Sequence, residues 1–416
     1  MDKIIIVGNQ PLKGSVAISG AKNAVLPIMT AALLADGVSH IHKVPDLRDT
    51  RTMVRLLEMV GAKTTYKNGT LSIDARGVDT PVAPYELVKT MRASFYVLGP
   101  LLSRLGVAKV SLPGGCAWGP RPVDFHLKGF EKLGAEITLE SGYIQAKSKR
   151  LKGNNIRFDF PSVGATGNIL MAAVTAKGTT VIENAAREPE IVQLARYLNK
   201  MGANISGIET DVLTIEGVEG LSPADITVIP DRIEAGTFLM AGAALGEVTL
   251  TDVEPSHLDI VLDKLDEAGA TVSVGQSTIT IKHGDVIKPV DMTTGVYPGF
   301  PTDLQAQWIS LMTIADGSTV VTDTVYKDRF SHIPELTRLG ANLQLENNTV
   351  FVRGQKFLIG APVMSTDIRA SASLVIGGLI AKGTTEIGRI YHLDRGYERL
   401  EEKFKKLGAV ITRESE

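Results

Sequence analysis

The chain has 416 residues, of which 44% are hydrophobic and 22% charged, and its formal net charge is −2. This length predicts two domains of about 200 residues each, and the near-neutral charge argues against a nucleic-acid-binding surface. A single cysteine, Cys116, excludes a disulfide within the chain and a cysteine-based metal site. The N-terminal residues contain no apolar segment of a secretory signal, and no apolar stretch is long enough to span a bilayer, so we expect a cytoplasmic protein.

A repeated unit recurs six times along the chain at spacings of 66 to 72 residues. In each unit a short apolar segment ends in a glycine, at positions 37, 106, 178, 246, 317 and 383. A β-branched run follows, and then an amphipathic segment that ends in Gly-Ala. Each unit is therefore predicted to contain a buried helix, a strand, a surface helix with a glycine C-cap, and in most units two further strands. Six such units predict two domains of three units each.

The starts of the buried helices are polar, although the bodies of these helices are apolar. Three starts carry a cation, where it opposes the helix dipole: Lys22, Arg92 and Arg369. Two starts have the spacing of a capping box: Asp231 with Glu234, and Thr302 with Gln305. Helix N-termini attract phosphates and carboxylates, so we expect these starts to bind an anionic ligand with more than one charged group. Capping alone also explains the Asp, Ser and Thr at these positions.

The second unit contains an enlarged loop that carries the cysteine. Its two glycines, Gly106 and Gly134, are 28 residues apart, against 23 to 25 in the other units. The additional residues belong to the segment SLPGGCAWGPRPVDFH at 111–126. Glycine and proline on both sides of Cys116 permit motion and close approach to a ligand, and Arg121 is near enough to stabilise a thiolate. A lone cysteine is more often a buried hydrophobe, so the residues alone leave both roles open.

Eight motifs occur in order along the chain: SGAKNAVLPI at 19–28, MRAS at 91–94, LPGGCAWGPRPVDFH at 112–126, SVGAT at 162–166, ENAAREPEI at 183–191, YPGFPTDLQAQ at 297–307, DIRASASLV at 367–375 and YHLDRGYE at 391–398. Together they resemble the UDP-N-acetylglucosamine 1-carboxyvinyltransferase family over essentially the full length. The resemblance implies an α/β fold with two inverse α/β barrel-like domains, each of three repeated units with buried parallel helices and outer sheets. Residues 21–229 would form the first domain and residues 1–20 plus 230–416 the second, with the active site in the cleft between them.

The resemblance also implies the reaction, in which the enolpyruvyl group of phosphoenolpyruvate is transferred to the 3-hydroxyl of UDP-N-acetylglucosamine and phosphate is released. Lys22, Arg121 and Arg395 resemble the residues that hold the phosphate and carboxylate of phosphoenolpyruvate. Cys116 resembles the general acid, which can form a covalent phospholactoyl adduct, and Asp303 resembles the general base. An acid and a base on opposite sides of the reacting pair suit this addition.

Further residues resemble the UDP-sugar contacts of the family: Asn23, Arg92, Arg121, Pro122, Val123, Asp124, Phe125, Ser162, Val163, Asp303 and Val325. Asp367 and Arg369 fit the same cleft, and Phe160 stands where some family members carry lysine. The resemblance implies no metal or redox cofactor, no nucleic-acid partner, no membrane insertion and no obligate protein partner.

Two other functions are compatible with the fold that the resemblance implies. One is 5-enolpyruvylshikimate-3-phosphate synthase activity, although that enzyme lacks a loop that matches PGGCAWGPRPVDFH. The other is a non-catalytic paralogue that binds the UDP-sugar without turnover. The presence of Lys22, Cys116, Asp303 and Arg395 argues against the second alternative.

Overall fold

The computed structural model describes residues 2–112 and 123–415. The chain divides into two compact units, one that runs from Gly20 to Ile229 and one that joins Met1–Ser19 to Pro230–Glu416. Each unit encloses its own hydrophobic core.

The chain begins with strands β1 (Asp2–Val7) and β2 (Leu12–Ala17), which belong to the second of these units. The helices of the Gly20–Ile229 unit are α1 (Lys22–Ala31), α2 (Arg48–Met59), α3 (Tyr85–Val88), α4 (Leu98–Leu105), α5 (Asp124–Lys132), α6 (Val163–Ala173) and α7 (Pro189–Lys200), with 3-10 helices at Ala32–Leu34 and Arg92–Val97. Its strands are β3 (Val38–His42), β4 (Lys63–Lys67), β5 (Thr70–Asp74), β6 (Val82–Ala83), β7 (Val107–Ser111), β8 (Glu136–Glu140), β9 (Tyr143–Lys147), β10 (Asn155–Arg157), β11 (Thr179–Glu183), β12 (Asn204–Ser206), β13 (Val212–Glu216) and β14 (Ile226–Thr227).

The other unit continues in the same style after residue 230. Its helices are α8 (Arg232–Leu245), α9 (Asp259–Glu267), α10 (Gln305–Met312), α11 (Ile333–Arg338), α12 (Ile368–Ile380) and α13 (Leu400–Lys406), with 3-10 helices at Pro255–His257, Thr302–Leu304 and Ile390–Arg395. Its remaining strands are β15 (Gly246–Thr251), β16 (Thr271–Val274), β17 (Thr278–Lys282), β18 (Met292–Thr293), β19 (Ser318–Thr322), β20 (Asn342–Glu346), β21 (Thr349–Arg353), β22 (Pro362–Met364), β23 (Thr384–Gly388) and β24 (Val410–Ser415).

The predicted α/β fold of buried helices and outer sheets is confirmed. Helices α6, α8 and α12 are buried along almost their whole length, as their nearly all-apolar sequences predicted. The glycines after the surface helices have φ values from 86° to 106°: Gly61, Gly134, Gly202, Gly269, Gly340 and Gly408. This left-handed conformation, which glycine adopts without steric cost, ends each surface helix and turns the chain into the next strand.

Within the described residues the strands form six four-stranded sheets with one shared pattern, a parallel pair at one edge followed by two antiparallel strands. The parallel edge strand of each sheet, which has two or three residues except for the six-residue β2, was not predicted. In the Gly20–Ile229 unit, β14 from the end of the unit pairs with β3 from its beginning. In the other unit, β2 supplies the parallel partner of β15. Each unit is therefore closed by a strand from a distant part of the chain.

Strand β1 completes the last sheet, whose order is β22-β23-β1-β24. Ile4 lies opposite Ile387 and Arg413, so β1 pairs on both edges. The last repeat has a single strand after its surface helix, and β1 occupies the place of the missing one. Ile4 and Ile6 are fully buried in the core of this unit, because alternate residues of a strand face the same side of the sheet.

The segments that lead from one unit into the other are held by neighbouring backbone. Asp231 donates its N–H to the Ser19 carbonyl at 2.9 Å. Asp231 also caps α8 by accepting from Ile233 and Glu234 N–H, as predicted. The predicted capping box is wrong, however, because the Glu234 carboxylate accepts from Ser19 N–H at 2.7 Å and from Lys403 Nζ at 2.6 Å. A buried carboxylate gains more from a cation than from a return contact to its own helix cap.

Replacing Ile6 with alanine should lower the free energy of unfolding by about 2–5 kcal/mol, because it removes a buried side chain and leaves a cavity. The unfolding transition of the unit that contains β1 should move to lower urea concentration. Val7→Ala is the matched control, because Val7 is the next residue of the strand and is 39% exposed. Equal midpoints for the two variants would contradict the assignment of β1 to the core.

Candidate active site

The centre of the candidate site is the Asp303 carboxylate, which accepts from two arginines. Arg369 Nη2 lies 2.7 Å from Asp303 Oδ2, and Arg329 Nη1 lies 2.7 Å from Asp303 Oδ1. Asp303 belongs to the 3-10 helix Thr302–Leu304, directly before α10, and Arg369 lies in the first turn of α12. An ion pair thus joins the starts of two buried helices, a contact that the sequence did not predict.

Electrostatics keep this carboxylate ionised. Burial by itself would raise the pKa of Asp303, but Arg369 and Arg329 outweigh burial and hold that pKa well below its usual value. Burial would lower the pKa of Arg369, yet the Asp303 charge raises it. At neutral pH the cluster of Asp303, Arg369 and Arg329 therefore carries one negative and two positive charges, an arrangement suited to binding an anion while keeping an acceptor for a hydroxyl proton.

A second carboxylate, Asp323, links the residue before Asp303 to the segment 325–326. Its Oδ1 accepts from Val325 N–H at 2.9 Å and Tyr326 N–H at 2.7 Å, and its Oδ2 accepts from Thr302 Oγ1 at 2.7 Å. The predicted capping box of Thr302 and Gln305 is wrong. The helix starts after Pro301 without a side-chain cap, and the Gln305 carboxamide has no hydrogen-bond partner among the described residues. Val325, a predicted UDP-sugar contact, is tied through Asp323 to the segment that carries Asp303.

Asp367 and Arg395 lie on either side of Arg369 in the sequence. Asp367 caps α12, with its Oδ1 accepting from Arg369 N–H at 2.8 Å and Ala370 N–H at 3.1 Å. The cap places the Arg369 side chain at the helix start. Arg395 is half-buried and ends the 3-10 helix Ile390–Arg395.

In the Gly20–Ile229 unit, Lys22 is the first residue of α1 and its Nζ lies 3.3 Å from Asp49 Oδ2. The side chains of Lys22 and Asp49 are 11% and 3% exposed. This carboxylate balances the cation at a helix start where no acidic residue of the first turn does so. Asn23 follows Lys22 and is half-buried.

Arg92 begins the 3-10 helix Arg92–Val97 and acts electrostatically on His126. Burial, with a smaller contribution from Arg92, lowers the pKa of His126 to about 3, so this imidazole is neutral at physiological pH. His126 Nδ1 lies 3.2 Å from Asn168 Nδ2, and His126 packs edge-on against Phe95. His126 is therefore a packing residue that links this 3-10 helix to α6.

The start of α6 was predicted correctly. Ser162 caps the helix, its hydroxyl accepting from Ala165 N–H at 3.3 Å, and the Val163 carbonyl accepts from the Tyr96 hydroxyl at 3.4 Å. Phe160, just before this start, is 41% exposed.

Val123, Asp124 and Phe125 form the start of α5. Phe125 packs against Phe158 with ring centroids 6.1 Å apart. Lys128 Nζ lies 3.8 Å from Asp124 Oδ2. Phe125 also lines an open groove of about 400 Å³ between one face of α5 and the β10 edge. Three further predicted site residues, Cys116, Arg121 and Pro122, lie outside the described residues.

Sequence reasoning missed Arg329, Asp323 and Asp49, which hold predicted residues in place. Asp323 directly follows a β-branched strand, where an aspartate commonly organises a turn, and this signal was available. Arg329 and Asp49 carry no comparable signal, because each is recognised through a partner that is distant in the sequence or on another helix.

Comparison with known proteins places the chain in a family. Residues 6–404 match the family model of EPSP synthase (3-phosphoshikimate 1-carboxyvinyltransferase). The enolpyruvyl transferase NikO from Streptomyces tendae superposes with a TM-score of 0.90 at 28% identity, over 99% of this chain and 98% of that one. EPSP synthase from Acinetobacter baumannii has a TM-score of 0.76 at 20% identity over 100% of both chains, a likeness of fold. The class is thus that of the enolpyruvyl transferases.

Curated relatives indicate which kind of enolpyruvyl transferase the chain resembles. A UDP-N-acetylglucosamine 1-carboxyvinyltransferase from Desulfosudis oleivorans is 54% identical over 99% of both chains. Another from Chloroherpeton thalassium is 56% identical over 100% of this chain and 98% of the relative. The chain belongs to the EPSP synthase family and, within it, to the UDP-N-acetylglucosamine 1-carboxyvinyltransferases.

Replacing Asp303 with asparagine should lower the free energy of unfolding by about 3 kcal/mol at pH 7, because two guanidinium groups lose their counter-charge. The pKa of Asp303 is lower in the folded than in the unfolded chain. The contribution of ionised Asp303 to the free energy of unfolding is therefore complete above about pH 4. It is lost as the pH falls through the pKa that Asp303 has in the folded chain.

The difference between wild type and Asp303→Asn in urea unfolding should accordingly shrink on acidification below about pH 4. Asp285→Asn, at an exposed position, is the control for a change of charge alone. A difference that stays constant or grows in acid would refute the arginine-stabilised carboxylate.

Proposed function

We propose that this chain transfers the enolpyruvyl group of phosphoenolpyruvate to the 3-hydroxyl of UDP-N-acetylglucosamine and releases phosphate. The observation that carries the proposal is identity of 53–56% over essentially the whole chain to relatives that share this activity in their names. The ionised Asp303, beside two arginines, supports it independently, because the reaction needs an acceptor for a hydroxyl proton near anionic groups.

The proposed reaction begins with addition. A general acid protonates the methylene carbon of phosphoenolpyruvate, and the sugar oxygen bonds to the neighbouring carbon as its hydroxyl proton leaves. Loss of a methyl proton and cleavage of the carbon–oxygen bond to phosphate then form the enol ether. The acid and base must lie on opposite sides of the reacting pair, so the general acid would act on phosphoenolpyruvate from one side and the base on the sugar hydroxyl from the other.

Asp303 serves as the proton acceptor in this proposal. A carboxylate with a depressed pKa is a weak base towards a resting alcohol. The hydroxyl becomes far more acidic as its oxygen bonds to the electron-poor carbon, so even this carboxylate can then accept the proton. We therefore assign Asp303 first the orientation of the hydroxyl and then the removal of its proton during bond formation.

The cations serve the phosphate and carboxylate groups. Lys22, Arg395 and Arg121 would hold phosphoenolpyruvate and offset the charge of the departing phosphate. Cys116 would be the general acid. The proposed contacts of the UDP-sugar are Asn23, Arg92, Pro122, Val123, Asp124, Phe125, Ser162, Val163, Val325, Asp367 and Arg369.

The alternatives have weaker support. The likeness to EPSP synthase from Acinetobacter baumannii, at 20% identity, is a likeness of fold and does not identify the acceptor substrate. A paralogue without turnover would have no need of Lys22, Asp303 and Arg395 together.

We place the activity in the cytoplasm, at the start of peptidoglycan synthesis. No helix in the described part of the chain is both long and apolar enough to cross a bilayer.

Purified protein should release phosphate from phosphoenolpyruvate when UDP-N-acetylglucosamine is present and not when shikimate 3-phosphate replaces it. A coupled phosphate assay measures both rates. Asp303→Ala is the control for contaminating phosphatases, since it should abolish release while UDP-sugar binding persists. Release that depends on shikimate 3-phosphate would support the rival, and binding without release would support the non-catalytic paralogue.

Cys116 should be alkylated by fosfomycin, an epoxide that resembles phosphoenolpyruvate, and faster when the UDP-sugar is bound. The thiolate sulfur bonds to an epoxide carbon, the carbon–oxygen bond opens, and the resulting alkoxide takes a proton. Intact-mass spectrometry can assign the adduct directly, because the chain has one cysteine. Cys116→Ala should show no adduct, and an unmodified wild-type mass would contradict the proposed reactive cysteine.

A further inference from the structure

Tyr397 is a buried tyrosine that the proposed mechanism does not use. It is 2% exposed and lies two residues after Arg395. Its hydroxyl is 2.9 Å from Thr237 Oγ1 on α8 and 3.1 Å from Gln307 Nε2 on α10. One phenol thus bridges two buried helices of the unit that carries Asp303.

The directions of these hydrogen bonds follow from the available hydrogens. The Thr237 hydroxyl donates its single hydrogen to the Ile233 carbonyl at 2.8 Å. Tyr397 must therefore donate to Thr237 Oγ1, and the Tyr397 oxygen accepts from the Gln307 amide. Burial raises the pKa of Tyr397, so the phenol stays protonated and keeps this direction.

The same Gln307 amide reaches the segment that carries Asp303. Gln307 Nε2 donates to the Asp303 carbonyl oxygen at 3.0 Å. The carboxamide has two hydrogens, and its two shortest contacts are to the Asp303 carbonyl and the Tyr397 oxygen. The Tyr397 hydroxyl therefore sets the position of the Gln307 amide, which in turn holds the Asp303 backbone.

The ring of Tyr397 contacts Arg369, the arginine that forms an ion pair with the Asp303 carboxylate. The Arg369 guanidinium carbon lies 5.6 Å from the ring centroid, within the range of a cation–π contact. The Arg369 side chain is 4% exposed, and such contacts strengthen when the cation has lost its water. This guanidinium donates to Asp303 Oδ2.

We propose that Tyr397 is a positioning residue for enolpyruvyl transfer, holding the Asp303 backbone through Gln307 and the Asp303 carboxylate through Arg369. This inference rests on the proposed function, because it assigns the purpose of the network to the carboxylate that accepts the hydroxyl proton. Packing alone does not explain the hydroxyl, since phenylalanine would fill the same space without a buried polar atom that needs partners.

Tyr397→Phe in the full chain tests the role of the hydroxyl, because the ring beneath Arg369 is kept. The turnover number kcat should fall about 10- to 100-fold, since small displacements of a reacting group cost up to that much. The KM for the UDP-sugar should stay within about twofold, because binding contacts remain. Tyr197→Phe is the matched control: Tyr197 is fully buried in the other unit and donates to the Ala224 carbonyl. Its variant should lose stability and keep kcat.

A second measurement does not depend on activity. The thermal midpoints of wild type, Tyr397→Phe, Asp303→Asn and the double variant form a double-mutant cycle. If Tyr397 acts on Asp303, the thermal midpoint of the double variant should fall by less than the sum of the decreases in the two single variants. The pair Tyr197→Phe and Asp303→Asn should be additive, because Tyr197 lies in the core of the Gly20–Ile229 unit and Asp303 belongs to the other unit.

The outcomes separate the inference from the function on which it rests. If the wild type turns over both substrates, an unchanged kcat in Tyr397→Phe overturns the inference and leaves the function intact. If the wild type releases no phosphate, the proposed function fails, and the double-mutant cycle of thermal midpoints decides whether Tyr397 acts on Asp303. Additive midpoints would then show Tyr397 to be structural only, whereas coupling to Asp303 would support the positioning role.

Discussion

Asp303 is a carboxylate that has given up most of its contact with water and is balanced by Arg369 and Arg329 at 2.7 Å each. Desolvating such charges costs several kcal/mol per ion, and their mutual attraction repays this only in good geometry. The surrounding structure therefore has to hold three side chains from two successive repeats in register. Most of the polar contacts around Asp303 contribute to that requirement.

The repeat supplies this geometry. Each buried helix begins at a short polar segment, and the caps hold those starts in place, as Asp367 does for α12 and Asp231 does for α8. Close packing brings the starts together. At Gly236, for example, an added Cβ would lie 2.4 Å from a terminal carbon of Leu304, so this glycine leaves room for the Leu304 side chain where α8 packs against the Asp303 segment. The apolar bodies of the helices thus determine where the polar starts meet.

The two units apply one architecture to different chemistry. In the Gly20–Ile229 unit a cation stands at the helix start and a carboxylate, Asp49, balances it, whereas in the other unit the carboxylate stands at the start and arginines balance it. Both units also keep a histidine beside an arginine, His126 and His332, and burial lowers the pKa of each to about 3. These neutral imidazoles fill space without adding charge.

The sequence by itself determined the features that are local and periodic. The six repeats, the buried helices and the left-handed glycines follow from apolar spacing and backbone freedom, and the caps at Ser162 and Asp367 follow from the next few residues. The tertiary structure decided the contacts that join distant segments, such as Arg369 to Asp303 across 66 residues. It also decided that the Thr302 hydroxyl donates to Asp323, which lies 21 residues further along the chain, a contact that no local pattern predicts. Such choices depend on which distant partner the packed core brings near, and that is a property of the whole fold.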